Sequence, residues 1–438
     1  MKSPFVHHVL YRRGRSVFYG WWIVFSAAGL TMIGGAFYFF GFSTFLLPVE
    51  KDLMVDRGPL SLAVSISTLE GALLGPIQGY FVDRYGPRRI MMLGVALMGL
   101  GFVLLSTANS LLEFYLYFIP FIGIGAGLGI MAPSFVAVSN WFIRKRGTAF
   151  GIAMTGIGVG GLLVPLTRYL IAEFGWQQAA LIIGIIIWII GMPLTMLMRH
   201  RPEQYGLLPD GLTEEQAKLS AEQLAIPGRT TLHQEIDFTV SEALTSSAFW
   251  QLGVGFGLRN MLSSGVLVHM IAAAVARGHS EAFGAGLLAI MAGLSIPSRI
   301  LAGVLQDKVE KRKVGGTVGF LTALSLVFFL INDSTWALAI FAVMFSVAWG
   351  AASPTQQAIR GEYFGRLHYA KINGFANLFM TSGSIAGPAL AGFAFDATHT
   401  YQGSFTAFAA LSLVSAVVIW HAKRPVPSRL RSPEEPLS

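Results

Sequence analysis

Cysteine is absent from this chain of 438 residues. That excludes disulfide frameworks, thiolate metal sites, iron–sulfur ligation and cysteine nucleophiles together, and says nothing about redox compartment. Charge is scarce too: Asp, Glu, Lys and Arg make up 12% of the residues, about half the roughly 25% of an ordinary soluble domain. So few charges cannot clothe a water-facing surface, and a soluble enzyme of two or three domains is ruled out. Zinc-ligand spacing such as H-E-x-x-H, phosphate loops and nucleophile elbows are missing. No enzyme, cofactor or metal centre is therefore expected. What is abundant is apolar: 54% of residues are hydrophobic, with 33 Phe and 50 Gly, and the mean hydropathy is +0.61. The net charge of +8 falls in short clusters between apolar runs. That is the pattern of a membrane protein, and no nucleic-acid partner is expected.

A helix crossing about 30 Å of hydrocarbon needs roughly 20 mostly apolar residues, with its backbone groups satisfied internally. Twelve runs qualify: Tyr19 to Leu47, Leu60 to Val82, Ile90 to Thr107, Leu111 to Trp141, Thr148 to Phe174, Ala179 to Met198, Ala248 to Ala276, Ala282 to Leu305, Gly315 to Ile331, Trp336 to Ala358, Ile372 to Phe395 and Gly403 to Trp420. The first is far longer than a signal-peptide core and reads as a retained span. Cations gather in alternate loops, as in Arg12, Arg13 and Arg15, then Arg84, Arg88 and Arg89, then Arg144 to Arg146, then Lys308 to Lys313, then Arg360, Arg366 and Lys371. By the positive-inside rule both termini are cytoplasmic, as an even number of spans requires. The expected fold class is an all-α membrane protein of twelve transmembrane helices in two pseudo-symmetric six-helix bundles. The expected divisions are a cytoplasmic segment 1–18, a bundle 19–199, a polar linker 200–247, a second bundle 248–420 and a tail 421–438. A cell (inner) membrane location and a monomer in the lipid bilayer complete the expectation.

Transporter halves often show weak internal symmetry. From Gly79 the chain reads GYFVDRYGPRR, and from Gly303 it reads GVLQDKVEKRK, an offset of 224 residues. Gly147, Gly156 and Gly160 pair with Gly374, Gly383 and Gly387 at an offset of 227. Together these predict duplication of a six-span unit, with glycines where helices approach closely. Asp83, at the end of the second span, is predicted to accept hydrogen bonds from a nearby helix start or Arg.

The Gly79–Arg89 segment and its copy from Gly303 resemble the signature loop of the major facilitator superfamily over essentially the whole chain. Tyr19-Gly20-Trp21-Trp22 at the first span and WFIRKRGTAFG from Trp141 to Gly151 resemble the monocarboxylate porter group and the oxalate/formate exchangers. The resemblance implies the major facilitator fold, a gating loop of Gly79, Asp83, Arg84, Gly86, Arg88 and Asp307, and a small carboxylate as passenger, with protons as a co-substrate.

Charges inside the bilayer cost at least about 2.5–3.5 kcal/mol each on insertion scales, so each needs a local reason. Arg299 lies eight residues before Asp307, about 12 Å into the membrane at helical rise. It shares a stripe with Ser295 and Gly303, and Pro297 loosens the helix beside it. An inward guanidinium grips a carboxylate bidentately; an Arg snorkelling to headgroups is the alternative. Porters of the resembled group carry an Asp-x-x-x-Arg-x-x-x-Gly stripe there, with the Asp linked to protons. Here the Asp position is Ser295, and the group's first-span Lys is replaced at Phe40 or Gly41. Arg259 is a second candidate anion contact, against a structural role. Glu70 and His269 are candidate proton carriers, against a helix contact and an interfacial His. Tyr38, Tyr117, Gln356, Gln357, Asn373 and Asn377 are candidate pocket residues on spans 1, 4, 10 and 11, with plain packing as the alternative. Gly156, Gly158 and Gly161 satisfy G-x-G-x-x-G, but inside a span that motif holds no dinucleotide. The function expected is a secondary transporter of small organic anions, monocarboxylates first, working by alternating access with proton symport. A proton-independent oxalate/formate or dicarboxylate exchanger and a transporter-like receptor are the alternatives.

Overall fold

The computed structural model describes residues 17–55, 57–213, 215–216, 236–331 and 333–427. Among the described residues every regular element is helical, and twelve long helical segments run back and forth. Helix α1 runs from Gly20–Ile33 through a π-helical stretch Gly34–Phe39 into Phe42–Leu53; α2 is Arg57–Tyr85, α3 Pro87–Leu105 and α4 Leu111–Trp141. The 52-residue stretch Arg146–Leu197 breaks at Gly175, whose φ of 79° no helix accommodates, and so supplies α5 before the break and α6 after it. The remaining six are α7 Ser247–Val275, α8 Glu281–Gln306, α9 Lys311–Ile331, α10 Thr335–Phe364, α11 Tyr369–Thr398 and α12 Gln402–His421. Ten stretches of the described residues are long and apolar enough to cross a membrane, the one from Arg146 to Leu197 counting once. Helix α2 sets Ser67, Glu70, Gln78 and Asp83 beside an exposed apolar row of Leu62, Leu69, Leu73 and Ile77.

Each half buries its own core: Ile23, Met98, Phe118 and Trp141 in the first, Leu262, Phe341 and Phe408 in the second. Between the halves, α2 packs on α11 and α5 on α8. These crossings are close because glycines line them: a Cβ on Gly79 would strike the Ala370 backbone, one on Gly374 the Gly75 backbone, and one on Gly303 the Gly147 carbonyl. Without a hydrophobic force between helices in lipid, such backbone contact supplies the association. All these approaches lie toward the linker face, where α2, α6 and α8 end and α5, α7 and α11 begin. The two halves are closed against each other there.

The internal repeat takes two registers. Toward the partner half, Gly79 meets Ala370 as Gly303 meets Gly147, so the α5/α11 equivalence is Gly147 with Ala370 and not Gly147 with Gly374. Toward its own half the expected pairing holds: Gly156 and Gly160 abut the Ala28 and Met32 carbonyls, and Gly383 and Gly387 those of Gly257 and Met261. The two registers differ by one helical turn.

Helix starts explain how the halves are joined. Ser246, Ser280 and Ser334 cap α7, α8 and α10 locally, each accepting the N–H three residues on. The residues before α5 and α11, Lys145 and His368, offer no capping side chain. Their free N–H groups are met from the other half. Asp307 accepts from Gly147 N–H at 2.8 Å, Thr148 N–H at 3.0 Å and the Thr148 hydroxyl at 2.5 Å. Asp83 faces the N–H groups of Ala370 and Lys371 in the mirrored place. The linker adds a similar pair inside each half. Asp210 accepts from Ile143, Arg144 and Lys145, and Asp237 from Arg366 and Leu367.

Several predicted boundaries move by a few residues, and two of the shifts bury cations. The helix expected to end at Ala358 continues to Phe364, and the one expected to begin at Gly315 starts at Lys311. Both extensions bury cations counted above as loop residues: Arg360 is 2% exposed, and Lys311 pairs with Glu362. Arg146 is buried as well, its guanidinium donating to the Phe142 and Ser139 carbonyls.

Candidate functional site

The tight crossing of α8 over α5 sets the position of Arg299. Gly303 rests on Gly147, and one turn deeper Gly151 rests on the Arg299 carbonyl. From that crossing the Arg299 side chain reaches over the boundary between halves, and Nη1 donates to the Met154 carbonyl of α5 at 2.6 Å. Its guanidinium lies 5.6 Å from the Trp349 ring of α10 and is 4% exposed. Nε has no partner, and no carboxylate among the described residues pairs with it. The cation is thus held by one carbonyl and a ring face at the seam between the halves, with a donor to spare.

The other sequence candidates scatter. Ser295 is buried on the same stripe, but its hydroxyl donates to Ala292 of its own helix and Gly350 covers its backbone. Arg259 does not join Arg299: it points into the second half's interior, donating to the Gly315 carbonyl of α9 at 2.6 Å beside the Phe256 ring. Its Nε and Nη1 have no partner, so its surroundings match those of Arg299 in kind, and what differs is its place inside one half and not at the seam. His269 also turns inward, with Nε2 2.9 Å from the Pro388 carbonyl and Nδ1 3.1 Å from the Tyr401 hydroxyl. Since a carbonyl only accepts, Nε2 carries the proton and the ring is fixed as a tie between α7, α11 and α12.

In the first half, Glu70 sits beside Ser67 over the notch at Gly123, with Tyr38 as an electrostatic neighbour; neither carboxyl oxygen has a hydrogen-bond partner. Tyr38 stacks on Phe118 at 6.3 Å, and Tyr117 packs against the core. Gln356 is half-buried on α10, seven residues past Trp349 and so on the same helical face. Asn377 and Asn373 both accept from Arg360 Nη1, at 3.3 and 2.5 Å. Gln357 accepts from the Tyr369 hydroxyl at 2.8 Å. Of the predicted gating loop, Gly79, Asp83 and Asp307 meet the opposite half as described. Gly86 turns the chain with φ 82° against His200. Arg84 and Arg88 are exposed, and Arg84 donates to the Tyr80 hydroxyl on its own helix. They do not reach the partner bundle. The false dinucleotide motif resolves into packing: Gly156 admits Ala28, Gly158 admits Ile296 and Gly161 admits the Phe40 ring.

Sequence reasoning missed Arg360, Trp349 and the Met154 carbonyl. Arg360 hides behind a helix end set too early, and no side-chain pattern announces a carbonyl. Beyond the spans, burial pushes the Asp307 carboxyl up, while the Thr148 hydroxyl and N–H and the Gly147 N–H pull it back. Burial, with Arg201 alongside, pulls His200 down to about 4.

Comparison with known proteins fits this arrangement. The Major Facilitator Superfamily profile matches residues 24–331 and 295–437. An oxalate:formate antiporter from Oxalobacter formigenes is 28% identical over 94% of this chain and 95% of its own length. Monocarboxylate transporter 2 of Mesocricetus auratus is 24% identical, covering 90% of this chain and 83% of its own. Among solved structures, the transporter FucP in an outward conformation superposes with a TM-score of 0.70 at 15% identity, over 92% of this chain and 99% of that one. The human organic anion transporter MFSD10 does so with a TM-score of 0.67 at 15% identity, over 91% and 99%.

Proposed function

The chain belongs to the Major Facilitator Superfamily, and from that premise we propose that it carries small carboxylates, monocarboxylates first, across the cell membrane by alternating access with Arg299 as the anion contact. That it is a multi-pass membrane transporter related to monocarboxylate transporters and an oxalate:formate antiporter is given by the matches above. The observation that carries the finer reading is Arg299 itself, buried at the seam between halves with neutral partners only. A carboxylate arriving from the face away from the linker replaces the Met154 carbonyl as acceptor. That exchange neutralises the buried charge and releases α5 from α8 in one step. Alternating access then follows as rocking of the bundles about the occupied site, with the linker face cytoplasmic.

Coupling takes one of two forms. Proton symport is the first, with Glu70 as carrier, since its carboxyl has no hydrogen-bond partner to hold it ionised. Exchange without protons is the second, favoured by Ser295 standing where the resembled porters have their Asp. Purified protein in liposomes, offered labelled lactate, formate and oxalate with and without a pH gradient, tests both. Uptake should be saturable and absent in Arg299→Ala protein that folds normally. Wild-type uptake in that variant removes the site. Dependence on internal anion with no response to the gradient selects exchange.

A further inference from the structure

Arg360 is as buried as Arg299 and lies on the same helix as Trp349, eleven residues nearer the linker face. Nη1 is held by two amide oxygens, those of Asn373 and Asn377 on α11, and Nη2 has no partner. No carboxylate pairs with it among the described residues. Lys311 shows the contrast: buried one helix away, it is matched by Glu362. The next residue after Arg360, Gly361, packs against the Arg146 guanidinium, and Tyr369 interacts electrostatically with both arginines. Arg146 also sets the depth. It lies eight residues below Met154, the acceptor of Arg299, so Arg360 sits about 12 Å closer to the linker face than Arg299.

We propose that Arg360 is a second anion-binding residue, the lower station of the route, which receives the carboxylate between Arg299 and the cytoplasm. This rests on the organic-anion reading above. A carboxylate partner would neutralise Arg360 and close the passage to anions, whereas amide oxygens hold the guanidinium in place and yield to a charged acceptor. Asn373 and Asn377 are thus the placeholders. In the present state the gate seals this station. When α5 parts from α8 and α2 from α11, it opens to the linker side.

The test uses right-side-out and everted membrane vesicles, with labelled oxalate, formate and lactate. Arg360→Gln should raise the half-saturating concentration at the linker face by about tenfold or more and leave the opposite face within about twofold. Equal shifts at both faces, or none, overturn the proposal. Asn377→Asp separates binding from architecture. It gives Arg360 a carboxylate, so the protein should melt at or above the wild-type temperature while transport collapses. Wild-type transport in Asn377→Asp overturns the proposal. If the wild-type protein carries none of the three anions, the organic-anion reading falls, and Arg360 is judged by thermal stabilisation of purified protein. Stabilisation by oxalate that is lost in Arg360→Gln keeps the anion station. Stabilisation that survives, or that chloride matches, overturns it as an adventitious ion only.

Discussion

At the scale of one residue, the guanidinium's shape matters as much as its charge. Arg299 spreads its donors in a plane that bonds the Met154 carbonyl at 2.6 Å and faces the Trp349 ring, and a lysine ammonium would keep the charge but lose the fork and the stacking. Arg299→Lys should therefore lower initial uptake by about 10- to 100-fold, the cost of one to two tenfold steps at about 1.4 kcal/mol each, where Arg299→Ala abolishes it. Measured initial rates across the anion panel check this; a Lys variant at full rate would make charge alone sufficient. Arg299 is legible in the sequence because its stripe with Gly303 survives any small error in helix limits. Arg360 is not, because Pro354, Gln356 and Gln357 lower the local hydropathy and the apolar run ends six residues before the helix does. A residue outside the spans gives a pH signature. His200 is held neutral by burial, its pKa pulled to about 4, so the unfolded chain binds the extra proton and stability must fall as pH drops from about 6.5 toward 4. Melting temperature should decline over that window, and the decline should shrink in His200→Asn.

At the scale of elements, the device that holds the linker face shut is a cap supplied from the opposite bundle. Lys145 and His368 cannot cap the helices they precede, so α5 and α11 depend on Asp307 and Asp83. Loss of a helix cap costs about 0.5–2 kcal/mol. Asp307→Ala and Asp83→Ala should each shift the closed-to-open ratio by roughly 2- to 30-fold, and together by the product, since the two sites share no partner. The absence of native cysteine makes the measurement direct. A single Met154→Cys thiol, buried at the α5–α8 seam, should label faster from the linker side in each variant. Labelling at the parent rate would show that the aspartates do not hold the gate. The sequence announces these helices and the aspartates at their ends, since apolar runs and a repeated G-x-x-x-D are local patterns. It does not announce which half each aspartate serves, because that depends on crossings made by backbone contact at Gly147, Gly303, Gly79 and Ala370, where no side chain remains to be read.

At the scale of the whole molecule, alternation requires that the passenger favour the intermediate between two closed arrangements more than either end state. Two buried guanidiniums, Arg299 and Arg360, stand toward the linker side with a carbonyl and amide oxygens as partners. Their mutual repulsion is an internal pressure against closure, opposed by the two trans caps and the glycine crossings. On the function proposed above, an anion entering from the side away from the linker would relieve that pressure and replace the Arg299–Met154 bond, lowering the barrier to parting the bundles. The prediction is specific to charge and place: millimolar oxalate or formate should speed labelling of the Met154→Cys thiol from the linker side in otherwise unaltered protein, and do nothing when Arg299→Ala is added. A neutral analogue, formamide or oxamide, should leave the rate unchanged in both. If the neutral compounds accelerate labelling as well as the anions, the guanidiniums are not what senses the passenger, and the bundles are being moved by shape and not by charge.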